Sequence, residues 1–243
     1  MSTQSAGSPV TSCARTHRGL LRTRNEDAVL DRACSGVWAV ADGMGGHSHG
    51  DLASRLLIAG IERLAEQASG YTLVGRLADR IHEVNDTLRA HGRERCNGAV
   101  VGTTVAVLAM EADTFHYFWA GDSRIYILRE DILTQLTVDH VEPRPPDTHS
   151  DSGNARLTRA VGALESLEVD YRHGILYEGD RFAIVSDGVS RVVDDRDIAH
   201  SLSADYPDRA CDCLLSRVME RGAPDNASCV AVFVAPDSAR GRP

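Results

Sequence analysis

Apolar and polar positions change period several times along the chain. "GVWAVA" (36–41) is apolar without a break, the pattern of a strand buried on both faces, and it runs straight into Asp42. Over 51–67 the period lengthens, and Leu52, Leu56, Leu57, Ile61 and Leu64 fall on one side of a predicted helix. Leu73, Leu77, Ile81, Val84 and Leu88 follow at spacings of three and four and predict a second helix. Its end is expected near "HGR", with Gly92 in the left-handed C-terminal conformation. Then come short segments rich in β-branched and aromatic residues: "GTTVAVLAM", "TFHYFWA", "RIYILRE" and "ILTQLT". "EADT" and "REDI" read as hairpin connections. Residues 141–154 form a polar loop with three prolines. "RFAIVSD" and "SCVAVFVA" are two more apolar strands. Between them one helix is predicted over 208–221, with Ala210, Leu214 and Val218 inward and Gly222 as its stop.

Strand, two helices, a run of hairpin-like strands, then helix and strand is an α+β order, with antiparallel rather than doubly wound parallel sheets. Two antiparallel sheets packed face to face, with pairs of helices outside, would bury all these faces. The 243 residues suffice for one large domain or two small ones. No linker or internal repeat interrupts the pattern, so a single domain over 9–235 is expected, with loose ends at 1–8 and 236–243.

Composition narrows the partners. Hydrophobic residues make up 42% and charged residues 25%, with a net charge of −9. An acidic surface disfavours nucleic acid and anionic lipid as general partners. The longest apolar candidate, "AVVGTTVAVLAM", is about half the ~20 residues of a membrane span. The first residues lack the basic-then-apolar order of a secretory signal, so a cytoplasmic location is expected. The six cysteines form no C-x-x-C pair and read as reduced thiols. Cys211 and Cys213, two apart on a helix, would point to different faces.

Carboxylates recur where charge is awkward. Asp42 follows "VWAVA", Asp187 follows "FAIVS", Asp122 follows "FWAG" and Asp225 precedes "NASCVAVFV". Each ends an apolar strand. One Asp–Gly pair is ordinary turn chemistry. Four such acids, with Glu26 and Asp27 besides, would repel one another unless cations sit between them. Oxygen donors suit magnesium or manganese. His47 and His49 lie two apart with no third His or Cys at metal-ligand spacing, and read as loop residues. In "GLLRTRNEDA", Arg22 and Arg24 alternate with acids, and an Arg beside a carboxylate–metal cluster would make a phosphate site.

With these residues in view, the sequence resembles the metal-dependent protein phosphatases of type 2C (the PPM family) in their bacterial form. The resemblance runs from about Val10 to Ala235 through "THRGLLRTRNEDA", "VWAVADGMGGHSHGDLAS", "VGTTVAVL", "WAGDSRIYILR", "LTVDH", "RLTRAVG", "FAIVSDGVSRVVDDRDI" and "PDNASCVAVFV". It implies a central β-sandwich flanked by helix pairs; the chain itself is expected to be a monomer. It implies two Mn2+ or Mg2+ ions, bridged by Asp42. The Gly43 carbonyl would bind one, Asp187 and Asp225 the other, and Glu26 and Asp27 would reach the pair directly or through water. Arg22 matches the phosphate-binding Arg. Asp122 matches the residue linked to a third, weaker metal in bacterial members. The implied reaction is hydrolysis of phosphoserine or phosphothreonine in protein substrates by direct attack of a metal-bridging hydroxide. The implied partner is a bacterial Ser/Thr kinase or its targets.

The chain departs from the family pattern twice. Met44 stands where some members carry a His two places after the bridging Asp, so the general acid stays open, with a metal-bound water as the alternative. Bacterial members usually insert a helical flap between "LTVDH" and "RLTRAVG"; here Val141 to Ala155 is short and proline-rich, so a short, mobile flap is expected. Two rivals stay open: a pseudophosphatase that binds without turnover, and an unrelated two-metal hydrolase, although the latter commonly adds His ligands.

Overall fold

In the computed structural model, residues 10–45, 49–142 and 156–235 are described. The chain opens with strands β1 (Val10–His17) and β2 (Asp27–Arg32), then β3 (Val37–Met44). Helices α1 (Gly50–Gln67) and α2 (Gly70–Arg95) follow. Next come β4 (Gly102–Thr103), β5 (Val105–Glu111), β6 (Thr114–Ala120), β7 (Arg124–Arg129), β8 (Ile132–Gln135) and β9 (Asp170–Ile175). The last part comprises β10 (Arg181–Val185), the single turn α3 (Asp187–Ser190), α4 (Asp195–Leu202), α5 (Pro207–Glu220) and β11 (Ala227–Val234).

The strands form two sheets in the orders β1-β11-β10-β7-β8 and β2-β3-β5-β6-β9, with β4 added to β3. All pairings between these strands are antiparallel. The strands that read as unbroken apolar runs are buried on both faces. In β3, Trp38 and Val40 point into the gap between sheets, while Val37, Ala39 and Ala41 meet the layer under α1 and α2. In β10, Phe182 and Ile184 face the gap, and Ala183 and Val185 face the cluster beneath α4 and α5. The result is helix pair, sheet, sheet, helix layer, with an apolar slab in the middle.

The structure corrects several sequence expectations. β1, β2 and β9 were not expected; each lies at a sheet edge and carries mostly polar or half-exposed residues. The span between β10 and β11 holds three helices, not one. On α1 the inward stripe is Ala53, Leu57, Ile61 and Leu64, and Leu52 faces solvent. Gly92 does not end α2. The helix continues to Arg95, and the left-handed residues are Asn97 and Gly98. The Gly98 amide returns to the Gly92 carbonyl at 2.9 Å, closing the helix end. Gly92 is needed because a Cβ there would strike the Ala99 carbonyl. Hairpin turns fall where expected, with Ala112, Glu130 and Asp131 at positive φ. Gly222 ends α5 with φ 93°.

The expected loose termini and His47 lie outside the described residues, as does the expected flap apart from its base. That base is closed by a bridge between Val141 and Leu157, and the Glu142 amide donates to the Arg156 carbonyl at 2.8 Å.

Candidate metal centre

Strand alternation carries the side chains of Trp38 and Val40 into the inter-sheet gap, and Asp42 continues that row. In the β2–β3 ladder Asp27 stands opposite Asp42. From the facing sheet, β10 ends at Val185 and leads into Asp187, the first residue of α3. Asp225 lies just before β11, and Asp122 lies in the turn between β6 and β7. The acids that end apolar strands therefore collect at one end of the sandwich, where the slab between the sheets meets solvent. An open cavity of 610 Å³ beside Arg129, Tyr177 and Asp180 lies at the opposite strand ends and shares none of these residues.

Asp27 crosses the gap. Its Oδ2 accepts from Ser186 Oγ at 2.8 Å and Ser228 Oγ at 2.6 Å, both on the other sheet's segments. Its Oδ1 is buried without a hydrogen-bond partner. Burial pushes the Asp27 carboxyl up to about 7, against the two serine hydrogen bonds. Burial, with Asp27 and Asp187 nearby and a hydrogen bond to Asp187, holds Asp42 well above the usual carboxylate range. Burial also raises Glu26 and Asp122. Carboxylates so placed want cations, and an orphaned carboxylate oxygen is a place for one.

Two arginines already reach in. Arg22 donates to Asp225 Oδ2 at 2.6 Å. Arg191 bridges two acids, 2.6 Å from Asp122 and 3.0 Å from Asp187. The structure thus brings Asp27, Asp42, Asp187, Asp122, Asp225, Glu26 and Arg22 to one end.

The backbone supports this cluster. Gly43 N donates to the Glu26 carbonyl at 3.1 Å. Gly43 is an extended strand residue and makes no sharp turn. It is glycine because a Cβ would collide with the carbonyls of Gly50 and Glu26. The turning residue is Gly45, at φ 140°. Thr104 Oγ1 accepts from the Asp42 amide at 3.0 Å. Asn226 Oδ1 accepts from the Glu26 amide at 2.8 Å, while Nδ2 donates to the carbonyls of Arg18 and Arg24 at 2.7 and 2.8 Å. Asn226 therefore pins the loop that carries Arg22 and Glu26.

Ser186, Ser228, Thr104, Asn226 and Arg191 were not singled out by sequence reasoning. Most are small polar residues inside the motifs, and only their partners distinguish them. His49, read as a loop residue, meets His91 and Cys96 at the far end of α2.

The sequence profile of the family described as "Protein phosphatase 2C" matches residues 16–226. The serine/threonine protein phosphatase PstP of Mycobacterium tuberculosis is 31% identical over 230 residues, which cover 91% of this chain. The chain spans 44% of the length of that relative. Among solved structures, PppA, "a key regulatory component of T6SS in Pseudomonas aeruginosa", is 34% identical with a TM-score of 0.85, covering 93% of this chain and 98% of PppA. The catalytic domain of PstP in complex with two manganese ions is 29% identical with a TM-score of 0.83, covering 93% and 98%.

Proposed function

The chain belongs to the protein phosphatase 2C family, and from that premise we propose that it hydrolyses phosphoserine and phosphothreonine in proteins with two bound Mn2+ or Mg2+ ions. The observation that carries this reading is Asp27, buried in register with Asp42 and left with one carboxylate oxygen unpartnered. The donor set is all oxygen, which fits these cations. Asp42 and the Gly43 carbonyl, with Asp187 and Asp225, would hold the pair, and Glu26 and Asp27 would complete their surroundings.

When bound, the two ions supply a water nucleophile ionised near neutral pH and positive charge for the phosphoryl oxygens. The protein's own part is positional. Asn226 and the Gly43 amide fix the loop from Arg22 to Glu26 against the acids. Ser186 and Ser228 orient Asp27. Arg22 is half-exposed at the rim and holds Asp225 through one nitrogen, so its guanidinium is free to exchange that carboxylate for a phosphoryl group and grip it with both prongs. Met44 has no ionisable proton to give, so the leaving oxygen takes its proton from elsewhere.

A third, weaker metal at Asp122 fits less well. Arg191 already places a fixed positive charge between Asp122 and Asp187. On this reading the guanidinium stands in for a third ion and the working complement is two.

A monomer in the cytoplasm acting against a Ser/Thr kinase or its targets completes the proposal. All six cysteines are free thiols, which suits a reducing compartment. Hydrolysis of a phosphothreonine peptide by the purified chain, with Mn2+, with Mg2+ and with chelator, tests it. Turnover that requires the metal supports the phosphatase; metal binding without turnover favours a binding-only relative.

A further inference from the structure

We propose a second metal site, built from His49, His91 and Cys96 and suited to zinc. One donor atom of each residue lies within 4.8 Å of the others. The Cys96 sulfur is 3.8 Å from His49 Nδ1. In a tetrahedral zinc site, bonds of ~2.3 Å to sulfur and ~2.0–2.1 Å to nitrogen put ligand atoms ~3.3–3.6 Å apart. One pair is already near that spacing, and small side-chain rotations bring in the third. Among the described residues, no other group of three His, Cys, Asp or Glu donors is this close.

The fold constructs the cluster from both ends of the helix pair. His49 is the residue that precedes α1. His91 lies in the last turns of α2, and Cys96 caps that helix. The helix end is tightly wound: the amides of Cys96 and Gly98 both return to the Gly92 carbonyl, at 3.2 and 2.9 Å. That winding holds Cys96 back toward His91. All three side chains are half-buried, so an ion can enter.

The donors also set this site apart from the carboxylate cluster. Thiolate and imidazole select zinc-like cations, whereas carboxylates and carbonyls select Mg2+ and Mn2+. Three protein ligands leave a fourth tetrahedral position for water. The neighbouring residue, Gly50, packs directly on Gly43 and on the Glu26 carboxyl. A zinc ion here would therefore restrain the segment that follows Asp42. That consequence for catalysis rests on the phosphatase reading; the site itself does not.

The test is a Co2+ titration of the metal-stripped full chain, under a thiol-free reductant and with Mg2+ in excess. The expected result is one Co2+ per chain with a thiolate-to-cobalt charge-transfer band, displaced by Zn2+. Cys96→Ser abolishes the band and weakens Zn2+ at least tenfold. His91→Ala does the same and serves if the serine variant fails to fold. Asp42→Asn keeps the band. No band in the unmodified chain, a band that survives Cys96→Ser, or one lost in a folded Asp42→Asn overturns the proposal. A failed phosphatase reading looks different: the cobalt band is present and no phosphopeptide is hydrolysed.

Discussion

Asp27 and Asp42 face each other in register across neighbouring strands, both directed into the gap between the sheets. Like charges directly opposite in an antiparallel pair destabilise it. Two acids kept there at a cost to the fold point to a partner of opposite charge. Asp42→Asn is therefore expected to take Mn2+-dependent turnover to the metal-free background, yet to leave the melting temperature in chelator unchanged or higher. Calorimetric Mn2+ titration and thermal melts on the same sample check both halves. A variant that melts lower without metal would make Asp42 a structural residue.

Arg22 is expected to act on binding. Losing one charge-assisted hydrogen bond of ~1.5–3 kcal/mol corresponds to roughly a 10- to 100-fold loss of affinity. Arg22→Ala should raise KM for a phosphothreonine peptide by about that factor, with kcat little changed. Steady-state kinetics decides it, and an unchanged KM removes Arg22 from the phosphate site.

The pH dependence of the metal-free protein should run in an unusual direction. Asp27 has an ordinary value of 3.8 and is raised to about 7 in the fold. Between those values the folded chain holds a proton that the unfolded chain has released. Its contribution to stability is present at low pH and is lost as pH rises from about 4 to about 7. Urea unfolding in chelator at pH 5, 6, 7 and 8 should show this decline. Asp27→Asn should make it shallower, leaving the part that Asp42, Glu26 and Asp122 contribute.

If Arg191 substitutes for a third ion, removing it exposes the acids it bridges. Equilibrium dialysis should find two Mn2+ per unmodified chain and three, the last weak, in Arg191→Ala. Three in the unmodified chain would show that Arg191 yields its place to metal.

The central strands were legible because burial on both faces leaves an unbroken apolar run, as in β3 and β10. β9, "DYRHGI", was not, because a mostly exposed edge strand imposes no hydrophobic alternation. α4, "DRDIAHSL", is two turns long and buries only Ile198 and Leu202 among its apolar residues, too few for a helical period to show. At the site, the acids announced themselves by ending apolar strands. Ser186 and Ser228 did not, since a serine beside a strand has many uses and only the carboxylate of Asp27, in contact across the gap, picks these two out. His91 and Cys96 lie five residues apart at the end of α2, but His49 is separated from them by nearly the whole helix pair, so spacing along the chain carries no trace of the three meeting.

Asp27 and Asp42 belong to one sheet, and Asp187 and Asp225 flank strands of the other. Ions shared among them would close the sandwich along one edge, as a clasp closes two covers. Loss of the ions would then loosen a mechanical joint as well as silence a reaction. The first motion of the unloaded protein would be a parting of the sheets at this end, with amide hydrogens of Asp42, Gly43 and Ser228 exchanging ahead of those deeper in the slab.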